Sequence, residues 1–248
     1  MGRMTPAAPW SSYIALGDSF TEGLWDVIDD DGRPNPELSD WATLNPHAPE
    51  TRWLHLRGWA DLLAGHLADR REPGETLQYA NLAIRGRLLP AVLEEQVETA
   101  IAMKPDLVSL IAGGNDMLRP SVDIDGIADR LEQAVVTLRG HGIDVLLATG
   151  IDAKGAVLIS STRNRVGLFN SHIWSIARRH DAHVLDVWGM RSLRDLRMWS
   201  GDRIHLLAEG HRRVAQAALV GLGQAPDDDA WDDPLTPLPA PPAIEKLG

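Results

Sequence analysis

Five residues scattered along the chain bear the groups that acyl transfer requires. Ser19 stands in Gly17-Asp18-Ser19-Phe20, Gly86 ends the stretch Asn81 to Gly86, and Asn115 lies in Gly113-Gly114-Asn115-Asp116. Near the C-terminus, Asp202 and His205 form an Asp-x-x-His pair. A serine hydroxyl is a weak nucleophile at neutral pH and needs an adjacent base. His205 can be that base if a carboxylate holds its other ring nitrogen, and Asp202, three residues earlier, is near enough on one turn. The tetrahedral intermediate then needs donors where its negative charge develops. The backbone N–H groups of Ser19 and Gly86 and the Asn115 amide can form that oxyanion hole. Glycine at 86 is expected because the absence of a Cβ lets its N–H approach the oxygen closely.

Each fragment alone has a plainer reading. Gly-Asp-Ser after a strand is commonly a turn with a helix cap, and Gly-Gly-Asn-Asp is good turn chemistry. A lone histidine such as His205 is more often a surface or core residue than a base. What raises the chemical reading is where the fragments fall. Tyr13–Leu16, Leu77–Leu82, Leu107–Ala112, Val145–Thr149 and His183–Val187 are short apolar runs with the character of buried strands. Between them apolar residues recur at three- and four-residue steps: Trp59, Leu62, Leu63; Leu89, Val92, Leu93, Val97; Ile124, Ile127, Leu131, Val135; Val166, Phe169, Ile173; and finally Val214, Ala217, Ala218. Strands alternating with amphipathic helices predict a three-layer α/β/α domain around a five-stranded parallel sheet. Ligands of such sheets bind beyond the carboxyl ends of the strands. Ser19, Gly86 and Asn115 follow the first three strands, and Asp202 and His205 come after the fifth.

This set resembles the SGNH hydrolases, also called GDSL esterases and lipases, whose blocks carry a serine in Gly-Asp-Ser, a glycine, an asparagine in Gly-x-Asn-Asp, and Asp-x-x-His. All four occur here in the family's order, and the resemblance spans about residues 12–222, closest to compact single-domain bacterial members. It implies a flavodoxin-like sheet, a Ser19-His205-Asp202 triad, no metal or other cofactor, and hydrolysis of short acyl esters or thioesters. A carbohydrate O-deacetylase, like an acetylxylan esterase, is the alternative on the same fold. A third possibility, of another class, is a silent binding module whose tail docks a partner. Arg85 and Arg87 flank Gly86; they can attract an anionic leaving group, but two solvated loop arginines are expected.

Other features set limits. The 248-residue chain has no cysteine, which excludes disulfides, thiolate metal sites and a cysteine nucleophile. Its net charge of −11 makes nucleic acid or an anionic lipid surface a poor partner, and nothing names a protein partner. No window approaches the roughly 18 apolar residues of a membrane span, and no leader is apparent. The cytoplasm is therefore the expected location. Residues 1–224 are expected to form the hydrolase domain. Residues 225–248, with six carboxylates, six prolines and a single lysine, are expected to be an extended or disordered tail.

Leu24–Arg57 shows neither period and is expected to be an irregular wall or lid. Its Trp25 and Trp41, together with Trp188 and Trp199 ahead of Asp202, are candidate substrate contacts, whereas Trp59 and Trp174 fall on apolar stripes and are expected in the core. Asp29-Asp30-Asp31-Gly32 lacks the spaced carboxylates of a calcium loop, and the nine histidines form no zinc motif. His211 lacks an acidic residue three positions earlier, so packing or capping is expected of it. No phosphate-binding glycine loop follows the first strand, and Gly-x-Ser-x-Gly is absent around Ser19.

Overall fold

The structure, a computed structural model, describes residues 9–152 and 160–236. Five strands, β1 (Ser12–Gly17), β2 (Gln78–Asn81), β3 (Leu107–Ile111), β4 (Asp144–Ala148) and β5 (His183–Leu185), form one sheet in the order β2-β1-β3-β4-β5. Every pairing is parallel, for example Tyr13 opposite Leu107 and Leu146 opposite His183. The helices are α1 (Ser19–Glu22), α2 (Pro36–Leu44), α3 (Trp59–Ala68), α4 (Leu89–Met103), α5 (Gly114–Met117), α6 (Ile124–Gly140), α7 (Arg163–His180) and α8 (Ala208–Gly221).

The sheet is covered on both faces, which is why its strands read as continuous apolar runs rather than alternating ones. Tyr13 and Ala15 point into a core shared with α3 and α8, and their neighbours Ile14 and Leu16 into one shared with α4, α6 and α7. Each fully buried aliphatic side chain in these layers contributes about 1.5–3 kcal/mol relative to exposure. The chain crosses from β1 to β2 in one direction and returns to β3 on the other side of β1. The carboxyl ends of β1 and β3 therefore flank a switch point, where a crevice opens.

Three sequence expectations change. The Leu24–Arg57 connection is not irregular: it holds α2, a 3-10 turn over Pro49–Trp53, and a small core of Leu24, Trp25, Val27 and Ala42. Asn35 caps α2 by accepting from Leu38 N, and Pro36 supplies the fixed φ of its first turn. Trp174 is 49% exposed, because it lies one residue beyond Ile173 and so about 100° around α7 from the buried stripe. The acidic stretch after α8 is held to the body as far as Thr236. Arg70 donates to Asp227, Arg212 to Asp228, and the buried Arg213 to the carbonyls of Trp231 and Asp233. Residues 237–248 lie outside the described residues. None of the described helices is long and apolar enough to cross a membrane.

Candidate active site

The site begins with the way β1 is made to end. An ideal Cβ on Gly17 would lie 2.6 Å from the Thr21 hydroxyl, so only glycine fits there. The buried Gln96 of α4 grips this residue twice, accepting from Gly17 N at 2.8 Å and donating to Gly17 O at 2.9 Å. Asp18 then caps α1 through a 3.1 Å bond from Phe20 N, and Ser19 takes the first helical position. On the opposite side, Trp199 and Leu206 pair in an antiparallel bridge, with Ser200 N donating to His205 O at 2.9 Å. This closes the turn that carries Asp202 and His205.

The two segments meet. His205 Nε2 lies 2.9 Å from Ser19 Oγ, and His205 Nδ1 lies 2.7 Å from Asp202 Oδ2. The other oxygen of Asp202 accepts from Ser200 Oγ at 2.6 Å, Ile204 N at 2.9 Å and His205 N at 3.0 Å. Trp25 Nε1 reaches Asp202 Oδ2 at 3.3 Å. Burial of Asp202 works against its charge, but the bonds from the His205 ring, the Ser200 hydroxyl and the two backbone N–H groups outweigh it. They hold the carboxyl well below the usual carboxylate range. An ionised Asp202 can hold the proton of His205 on Nδ1, an arrangement in which Nε2 is able to accept one from Ser19.

Asn115 comes to the same place from β3. Its side-chain nitrogen donates to Asp18 Oδ2 at 3.2 Å and to Arg87 O at 2.9 Å, and Leu89 N donates to Asp116 at 2.8 Å. These bonds tie the turn that carries Gly86 to the turn after β3. Gly86 itself lies at an exposed tip with φ +76°, and a Cβ there would meet nothing within 4 Å. Glycine is thus required by the left-handed backbone rather than by a crowded approach. Both neighbouring cations are paired, Arg85 with Glu22 at 2.7 Å and Arg87 with Glu95 at 2.8 Å.

A cavity of about 150 Å³ opens beside Ser19, Asn115 and His205. Its walls are mostly apolar, from Phe20, Ile111, Met117, Val166, Phe169 and Ile204. The four candidate tryptophans are not among its lining residues. Trp25 is buried behind Asp202, its ring 6.4 Å from that of His205, so it is a buttress rather than a wall. Trp199 is a core residue donating to Leu193 O, Trp188 lies under the Arg163 guanidinium, and Trp41 is 36% exposed on α2. His211 is buried and accepts from Trp59 N at 3.2 Å, serving the first turn of α3. Among the described residues no group of three or more His, Asp or Glu is placed to hold a metal.

Residues 15–213 match the family model described as GDSL-like Lipase/Acylhydrolase family. The chain belongs to this family. It is a carboxylic ester hydrolase with the family's fold. LAE5, an alpha/beta hydrolase from the metagenome of Lake Arreo, Spain, superposes with a TM-score of 0.66 at 21% identity, covering 90% of this chain and 98% of that one. Axe2, an acetylxylan esterase from Geobacillus stearothermophilus, gives 0.62 at 21% identity, covering 86% and 94%. TesA gives 0.58 at 20% identity, covering 85% and 97%. Comparison with curated protein sequences gives no match.

Sequence reasoning did not find Ser200, Gln96 or the buttressing role of Trp25. Ser200 stood two residues before Asp202, a spacing at which a hydroxyl and a carboxylate commonly bond. Gln96 carried no local signal, since its partner lies 79 positions away.

Proposed function

We propose that the ester hydrolase works as a serine enzyme on short acyl esters or thioesters through an acyl-enzyme. The reading is carried by the alignment of Ser19, His205 and Asp202 at the mouth of an apolar cavity. Ser19 Oγ attacks the substrate carbonyl as its proton passes to His205 Nε2, and the carbonyl oxygen becomes an oxyanion. Ser19 N, Gly86 N and Asn115 Nδ2 are the assigned donors to that oxygen, each worth roughly a hundredfold or more in rate. The C–O or C–S bond then breaks, and the proton on His205 goes to the leaving group. Water, deprotonated by the same imidazole, attacks the acyl-enzyme, and collapse of the second intermediate releases the acid and returns the proton to Ser19. Asp202 stays ionised throughout and stabilises the imidazolium at each stage.

The cavity favours an acyl chain over a bare acetyl group, because its walls are hydrocarbon and its volume is that of sites which take up benzene. A p-nitrophenyl ester series tests this, and kcat/KM is expected to peak at about four to six acyl carbons. Ser19→Ala should lose at least about a thousandfold in kcat while remaining folded. Hydrolysis undiminished in that variant would defeat the serine mechanism. A strict preference for acetyl groups on sugars would instead move the assignment to the O-deacetylase alternative.

A further inference from the structure

Asn115 is held more firmly than its place on a four-residue helix explains. Its two acceptors, the Asp18 carboxyl and the Arg87 carbonyl, stand 3.2 and 2.9 Å from Nδ2. A carbonyl can only accept, and so can an ionised carboxylate, so the NH2 end of the amide must face these two groups. With both amide protons directed, the plane of the side chain is fixed. The acceptors are also chain neighbours of the other assigned donors: Asp18 precedes Ser19, and Arg87 follows Gly86. Asp18 is itself held in place, buried, with Oδ1 accepting from Phe20 N at 3.1 Å. The proton transfer from Ser19 to His205, which Asp202 steadies, makes no use of it.

We propose that Asp18 is a positioning residue for the oxyanion site, its carboxyl holding the Asn115 amide so that one proton faces the carbonyl oxygen bound at Ser19. This rests on the serine-esterase reading. At 3.2 Å the bond to Asp18 is at the long end for N–H···O, while that to Arg87 is near the mode. The proton toward Asp18 is therefore the one a developing oxyanion can share in a three-centre bond. Burial pushes the Asp18 carboxyl up to about 6, so it is still mostly ionised at neutral pH and accepts from Asn115 through Oδ2.

The test is a double-mutant cycle on p-nitrophenyl butyrate. Asp18→Ser keeps a hydroxyl to cap Phe20 N but is too short to reach Asn115. Asp18→Asn keeps the shape and sets one NH2 group against another. Both are expected to lower kcat about tenfold, a part of what loss of a whole donor costs, with KM within about twofold and Asp18→Ser near the wild-type Tm. In an Asn115→Ala background, Asp18→Ser should lower kcat no further. Should Asp18→Ser fail to fold, Asp18→Asn completes the same cycle. An unchanged or raised kcat, a change confined to KM, or losses that multiply across the two sites would overturn the proposal. Ser19→Ala is assayed alongside. Activity surviving in it would remove the esterase reading, whereas a Ser19-dependent enzyme indifferent to Asp18 would remove only this inference.

Discussion

At the scale of single residues, the site is a row of contacts of unequal strength around one carboxylate. Asp202 accepts from Ser200 at 2.6 Å and from Trp25 at 3.3 Å. A short bond to a charged group is worth more than a long one, so the two substitutions should differ in size. Ser200→Ala is expected to lower kcat about tenfold, which corresponds to about 1.4 kcal/mol, and Trp25→Phe about two- to fivefold. Steady-state kinetics on one ester, with Tm measured beside it, checks the order; a larger effect from Trp25→Phe would contradict it. Ser19, Asn115, Asp202 and His205 were legible in the sequence because each sits in a short motif whose members are close in the chain. Their supports were not. Trp25 was visible only as an aromatic residue in an unpatterned stretch, and composition does not say whether an indole faces a cavity or backs a histidine. Trp174 failed for a related reason: a periodic stripe tolerates one residue of error in phase, and on a helix that is enough to turn a side chain to solvent.

At the scale of elements, the sheet positions the chemistry and α4 locks it. Gln96 satisfies both polar backbone groups of Gly17, two residues before Ser19. Gln96→Leu would leave Gly17 N buried without its partner, an expected loss of about 1–3 kcal/mol of stability. A fall in kcat should accompany it as the end of β1 loosens. Urea unfolding and the ester assay read the two effects separately, and stability within about 0.5 kcal/mol of wild type would count against this role. Strands were readable because burial on both faces makes them uniformly apolar, and the long helices because each keeps one apolar stripe over several turns. The helix over Pro36–Leu44 escaped for want of such a stripe: it buries Ala42 and Ser39 but leaves Trp41 at the surface. Its cap, Asn35-Pro36, was the available signal.

At the scale of the whole molecule, buried titratable groups tie stability to pH. Burial first, and then the nearby charges of His205 and Arg57, push His211 down to about 3. The unfolded chain takes up that proton near pH 6.5, so the neutral ring contributes stability that is complete above about pH 6.5 and lost as pH falls below it. Asp18 and Asp26, each pushed up to about 6 chiefly by burial, act in the opposite sense as pH falls from about 6 to about 4. The His211 effect is therefore read against His211→Gln, which keeps an acceptor for Trp59 N. Between pH 6.5 and 5 the wild type should lose up to about 2 kcal/mol relative to the variant. Parallel stability curves would show that His211 is not held neutral. All of this serves to bring a serine, a histidine and a carboxylate into line from opposite ends of the sequence. The most direct test is intact-mass and peptide analysis after reaction with a fluorophosphonate. The account predicts a single adduct on Ser19, absent from Ser19→Ala and formed far more slowly in His205→Ala; no adduct, or one that persists in Ser19→Ala, would contradict it.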